Sequence, residues 1–254
     1  MTSGFSERVY REEAVPEGLV SFRVTVEQTD LWIAAERDLT RKAHDSVTRH
    51  RRELEAFIED HPEFLHSLKP IRPDTAVPVR GIVKGMLEAG RKAGVGPMAA
   101  VAGAISEAVA RDLAAHSGTV IVENGGDLYL LGSERRTIGI WAGRSPLSGR
   151  IGVRVEPGGG LAVCTSSGTV GPSLSLGEAD AATVISGSGA LADAAATELG
   201  NLLRTSEDIE HALDRITSID GVLGALAVIG DTVGAKGDIE LVSLQDSSSM
   251  SAKY

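Results

Sequence analysis

Five short apolar segments follow one another between residues 119 and 167: TVIVEN, DLYLLG, RTIGIWAG, GRIGVRVEP and GGLAVCTSS. Their close spacing, and the turn EPGGG before the last, ask for neighbours joined by hairpins and so for antiparallel sheet. More strands are expected on either side. LVSFRVTVEQTDLWIAAE, 19–36, alternates with EQTD as its turn, 7–13 reads as β, and DAATVIS, VLGALAVIG and DIELVSL complete the set.

Helical periodicity occupies the remainder. The charged stretch from Asp38 carries a narrow stripe of Leu39, Ala43, Val47, Leu54, Phe57 and Ile58, the mark of an exposed helix. Its cluster Arg49, His50, Arg51 and Arg52 reads first as a solvated face, with anion binding as the alternative. VRGIVKGMLEAGRKAG predicts a helix capped by Gly94. VGPMAAVAGAISEAVARDLAAH predicts a second, with Pro97 in its first turn and almost no side-chain bulk in its first half. A helix from about Ala190 to Arg204 and another over 206–216, with Ser206 as N-cap, follow. Helices and strands mix without βαβ alternation, so the fold class is α+β with mostly antiparallel sheet. One domain over 1–245 is expected, with 246–254 a frayed tail and the proline-rich loop 62–78 the best place for a subdivision.

The net charge of −10 argues against nonspecific binding to nucleic acid or an anionic membrane. The single cysteine, Cys164, excludes an internal disulfide and a cysteine-rich zinc site. MTSGFSERVYREE has no apolar leader, and no run approaches the roughly 18 apolar residues of a membrane span, so a cytoplasmic protein is expected.

Three polar stretches could carry chemistry. Asp193 and Thr197 stand one helical turn apart on an alanine-rich helix. Both reach with oxygen, which suits a hard cation such as Mg²⁺; the plain alternative is a dipole-favoured Asp and a Thr bonded to backbone. In NGGD, Asn124, Gly125, Gly126 and Asp127 form either an ordinary hairpin turn or a bend whose N–H groups and carboxylate meet a ligand. CTSSGT, 164–169, offers small hydroxyls and backbone to a phosphate or cation, or is a polar turn. No GxSxG surrounds its serines, and the six histidines show no HExxH or HxH pattern and read as surface residues. Cys164 reads as a buried small residue.

The order of these motifs is more informative than any one of them. A small-residue helix, VIVENGGDLYLLG, a strand ending TSSG and TVISGSGALADAAATELG resemble the layout of the ApbE family. Those proteins are FAD-dependent, Mg²⁺-requiring flavin transferases with NAGGD, TSG and ADALATAL segments. The match covers roughly residues 80–205, and VGPMAAVAGAISE with ENGGDLYL resembles a smaller ApbE-related branch of uncharacterised cytoplasmic proteins. The resemblance implies an ApbE-like fold and a cation held by Asp193, Thr197 and a backbone carbonyl at Thr165 or Ser166. It also implies a flavin dinucleotide near Asn124, Gly125, Gly126, Asp127, Ser167 and Gly168.

The departures are specific. The family's KGYAVD segment corresponds to about AGAISE, with Ala102 for the lysine and Glu107 nearest the acid, and its HIIDPRTG segment is reduced to VGPSLSLGEAD without histidine. Three readings follow: a Mg²⁺-dependent flavin transferase or pyrophosphate-cleaving enzyme, a flavin-binding module without transfer chemistry, and an enzyme using the pocket for another flat, pterin-like substrate. A small-molecule ligand is the expected partner, and self-association is left open.

Overall fold

The computed structural model describes residues 15–74, 78–168 and 177–244. The expected strand at 7–13, the tail and most of VGPSLSLGEAD lie outside them. Among these described residues eleven strands and six helices follow in the order β1 (Val20–Val26), β2 (Thr29–Ala35), α1 (Thr40–Asp60), α2 (Glu63–His66), α3 (Gly81–Ala93), a 3₁₀ turn (Pro97–Ala100) and α4 (Val101–Leu113). Then come β3 (Val120–Asn124), β4 (Asp127–Gly132), β5 (Arg136–Gly139), β6 (Ile151–Val155), β7 (Gly158–Ser166) and β8 (Ala181–Ser186). The chain closes with α5 (Gly189–Leu202), α6 (Ile209–Thr217), β9 (Val222–Ile229), β10 (Thr232–Gly237) and β11 (Glu240–Ser243).

The α+β architecture has three layers. Eight strands pair in the order β1-β2-β3-β4-β7-β8-β9-β10, every pairing antiparallel. The helices cover one face. On the other lies a three-stranded sheet, β11-β6-β5, packed through Ile138, Ile140, Val153 and Val155 against Ile121, Leu130, Val163 and Leu226. Strand period 2 sorts the side chains. Val120, Val122, Tyr129, Ala162, Cys164, Ala182, Ala225 and Ala227 point to the helices, and their odd–even partners point to the small sheet. The loop at 62–78 does not separate two sheets, because β2 before it pairs with β3 after it.

Four local expectations change. TVGAKG forms β10 despite its glycines, because a turn at Gly230 folds it back onto β9. DIELVSL leaves the main sheet and pairs as β11 with β6. Thr205, not Ser206, starts the sixth helix region: its side chain and that of Asp208 form a capping box. The histidines are not uniformly superficial either, since His50 is 15% exposed and bonds Asp112 at 2.9 Å.

Small residues set the depth of the helix layer. Ala162, Cys164, Ala182, Ala225 and Ala227 put little bulk under α5, whose own alanines at 190, 192, 194, 195 and 196 are buried. Helices α4 and α5 touch backbone to backbone. A Cβ on Gly103 would lie 2.2 Å from the Gly189 carbonyl oxygen, and one on Gly189 would lie 2.2 Å from that of Gly103. Gly103→Ala should therefore cost about 1–3 kcal/mol, because a backbone atom cannot yield as a rotamer can. At Gly85 on α3 the nearest atom is 3.9 Å away, and Gly85→Ala should instead stabilise by about 0.5–1 kcal/mol through helix propensity. Urea unfolding of both variants measures the contrast.

Candidate cation and nucleotide site

The turn NGGD is a two-residue hairpin loop. Asn124 and Asp127 are its last directly opposed pair, and Gly125 (φ 71°) and Gly126 (φ 111°) both take the positive φ that such tight turns require. Opposed residues share a face, so both polar side chains face the helix layer rather than the small sheet. Asn124 donates to the carbonyl of Ala102 at 3.3 Å, and Ser106 donates to the carbonyl of Asp127 at 3.0 Å. Helix α4 thus lies directly over the turn. Glu123 has the other parity, and its carboxylate folds back to accept from the Gly126 N–H at 3.0 Å.

Asp127 is buried and accepts from the Thr165 backbone N–H; Cys164, fully buried on the neighbouring strand, lies against it, with the Gly189 carbonyl as its thiol's acceptor at 3.8 Å. Asp193 comes from α5, where it is one of the few positions left partly open on an otherwise buried helix. Its carboxylate accepts from the Gly103 N–H at 2.9 Å and from the Ala102 N–H. Burial pushes Asp193 up to about 7. Burial also raises Asp127 well above the usual carboxylate range, and the charge of Asp193 raises it further. No lysine or arginine figures among the groups that act most strongly on either carboxylate. Two desolvated acids on which no described lysine or arginine acts strongly hold a proton or a cation.

The cluster offers carboxylate oxygen from buried Asp127 and partly open Asp193, and the partly open Thr197 stands one turn along α5 from Asp193. Thr165 reaches it only through backbone. Its hydroxyl lies on the far side of the sheet, 2.9 Å from that of Thr183, while its carbonyl oxygen lies beside Gly126. Among the described residues, no three His, Cys, Asp or Glu side chains gather into a metal cage. The set therefore suits a hard cation that keeps water or phosphate ligands, as Mg²⁺ does. Ser167 is half-buried, and Gly168 donates its N–H to the Ala179 carbonyl at 2.9 Å, which fixes the backbone just after β7 rather than adding a side chain.

A groove of about 630 Å³ opens on the other side of Asn124 and Ala102. Its floor is Leu54 and Ile58 of α1 with Met98, Val101 and Ile105, the small-residue stretch leading into α4. Its edge carries Arg51, which donates to Thr29 at 3.0 Å and to Gln28 and Glu55 at 2.8 Å each. Three of the four basic residues are thus committed to the fold: Arg51 ties α1 to the β1–β2 turn, and Arg49 and His50 both bond Asp112, while Arg52 is exposed. Sequence spacing did not reveal the part played by α1, because its residues reach the groove through tertiary packing alone.

The family described as "AbpE bacteria" matches residues 12–240. The chain belongs to this ApbE-related family. It is 46% identical over 195 residues to a UPF0280 protein of Methanocella arvoryzae, covering 76% of this chain and 78% of that one. It is 40% identical over 228 residues to a UPF0280 protein of Methanocaldococcus jannaschii, covering 87% and 92%. Among solved structures, the ApbE protein of Thermotoga maritima superposes with a TM-score of 0.55 at 13% identity, covering 85% of this chain and 96% of that one. At that identity the likeness establishes the ApbE-like fold.

The raised carboxylates give a signed pH prediction. Both acids bind a proton more tightly folded than unfolded, so the folded state holds the extra proton. This stabilisation is complete below the ordinary value of 3.8 and is lost as pH rises through about 7 for Asp193. Metal-free protein should lose on the order of 2 kcal/mol between pH 5 and pH 8. Asp193→Asn should flatten the dependence, measured by denaturant unfolding across that range.

Proposed function

We propose that this chain binds a flat-ring nucleotide together with a divalent cation, FAD with Mg²⁺ being the first candidate pair, and acts at its phosphoanhydride. The observation that carries the reading is the Asp127–Asp193 pair, buried at Asp127 and partly open at Asp193, with no lysine or arginine among the described groups that act most strongly on either. A cation bound there satisfies both carboxylates and neutralises charge on an adjoining pyrophosphate. Asp193, Asp127 and Thr197 are the side chains that would hold it, with the Thr165 carbonyl as the backbone contribution. The groove beside Asn124 supports a ring-binding role, since its apolar floor suits a planar face and its size falls within the usual range for ligand pockets. Asn124 spans both regions, contacting α4 while lining the groove.

A binding module without transfer chemistry is the second reading. The residue aligned with the family's lysine is Ala102, whose side chain can supply no charge or proton. The two readings differ only in turnover: the first releases AMP from FAD when Mg²⁺ is present, and the second does not.

Calorimetric titration of ligand-free protein with FAD tests the shared part. Binding should require Mg²⁺. Asp193→Ala should abolish the Mg²⁺ dependence with the fold intact by circular dichroism, and Thr197→Val should weaken Mg²⁺ on the order of ten-fold. Thr165→Val should leave Mg²⁺ affinity unchanged, because its hydroxyl faces Thr183. Equal FAD affinity with and without Mg²⁺ would overturn the reading.

A further inference from the structure

We infer that Glu107 is a positioning residue for Asp193, holding the first turn of α5 from α4 so that the Asp193 carboxylate meets the NGGD turn. Its functional consequence rests on the cation site proposed above; the geometry does not.

The two helices exchange a pair of hydrogen bonds in opposite senses. Gly103 on α4 donates its N–H to Asp193 on α5 at 2.9 Å, and Gly189 on α5 donates its N–H to Glu107 on α4 at 2.7 Å. Each pair of partners is four residues apart on its own helix, which is one turn. The bonds therefore form two rungs of an antiparallel clasp, with the Gly103–Gly189 backbone contact between them.

That contact explains why the rungs matter. Helices usually fix their relative position by interlocking side chains as ridges in grooves. Where two glycines meet, no side chain is present to interlock, and the surrounding alanines offer shallow relief. Sliding or rotation of α5 is resisted at this point chiefly by the polar rungs. Losing the Glu107 rung leaves the Asp193 rung to hold the helix alone.

Glu107 is itself fixed. Its second oxygen accepts from Arg111 Nε at 2.8 Å, and Arg111 also donates to the Tyr129 hydroxyl at 2.5 Å. The guanidinium carbon stands 5.3 Å from the centre of the Tyr129 ring. Tyr129 in turn donates to the Gly187 carbonyl at 3.3 Å. Both sides of Ser188, the N-cap of α5, are thus gripped: Gly187 by Tyr129 and Gly189 by Glu107. A plain salt bridge between Glu107 and Arg111 would account for the ion pair, but such i,i+4 pairs contribute only about 0.3–0.5 kcal/mol. It would not account for the bond to α5.

The test needs one readout that is independent of any cation. Exchange of the Gly103 amide reports whether Asp193 still sits on it, and Mg²⁺ titration reports the site. Glu107→Ala should speed Gly103 exchange and weaken Mg²⁺ binding by about ten-fold or more, the usual cost of removing a group that orients a metal ligand. Glu107→Gln keeps an acceptor for the Gly189 N–H and should hold both values within about three-fold of wild type. If Glu107→Ala does not fold, Tyr129→Phe, which keeps the ring but removes both the grip on Gly187 and the acceptor for Arg111, should shift both readouts in the same direction. Unchanged Gly103 exchange and Mg²⁺ affinity in a folded variant would overturn the inference, as would a glutamine variant as impaired as the alanine one. A wild-type protein that binds no Mg²⁺, while Glu107→Ala still frees the Gly103 amide, would leave the positioning role standing and remove the cation reading.

Discussion

The close approach of α4 and α5 is the constraint on which the candidate site depends. Two carbonyls and two Cα atoms meet where any side chain would intrude, at Gly103 and Gly189. Only because the helices lie this close can an amide of one reach a carboxylate of the other. The same closeness presses α4 onto the hairpin loop, so that Ala102 accepts from Asn124 and Ser106 bonds the backbone of Asp127. Small residues on β7, β8 and β9 extend the arrangement downward by letting α5 sink toward the sheet. The low aromatic content, 4%, belongs to this design. A bulkier core would lift α5 and part the carboxylates.

What was legible in the sequence was whatever is local. Gly94, predicted as a C-cap, ends α3 in the left-handed region at φ 90°. The NGGD hairpin and the Asp193–Thr197 spacing follow from two- and four-residue periods, which sequence displays directly. The expected α+β class with mostly antiparallel sheet agrees with the eight-stranded order. The elements that escaped are those decided at long range. TVGAKG has poor strand propensity and becomes β10 because β9 offers an open edge. β11 crosses to the small sheet because Leu241 and Val242 pair with Val153 and Gly152. The side-chain direction of Thr165 was equally hidden, since a single residue of register in CTSSG flips every side chain to the other face.

The groove was less legible. The stretch from Met98 to Ile105 reads as lacking bulk, so that another backbone or a flat ligand can come close, and in the fold it is the α5 backbone that does so, at Gly103. The opposite wall could not be read, because Leu54 and Ile58 look like an ordinary amphipathic stripe on α1. Arg51 illustrates the difference between composition and structure. In the sequence it belongs to a basic cluster on an exposed face. In the fold it is 14% exposed, and its guanidinium bridges the β1–β2 turn to α1 at the rim of the groove.

The Cys164 thiol shows how the electrostatics of the cluster are balanced. It is buried against Asp127, and burial together with the charges of Asp127 and Asp193 pushes its own titration well up, so it stays a neutral donor. A neutral thiol whose weak hydrogen bond goes to the Gly189 carbonyl cannot cancel the charge of the Asp127 carboxylate beside it. Backbone N–H groups from Thr165, Ala102 and Gly103 donate to the pair. Among the described groups that act most strongly on them, the hydrogen-bonding partners of these two acids are neutral, where an arginine would have been the ordinary solution. Had this cluster been built only for stability, an apolar pair of similar volume would have served as well or better. Retaining two carboxylates here means that the pair holds a proton as pH allows or, in the function proposed above, takes a cation in its place.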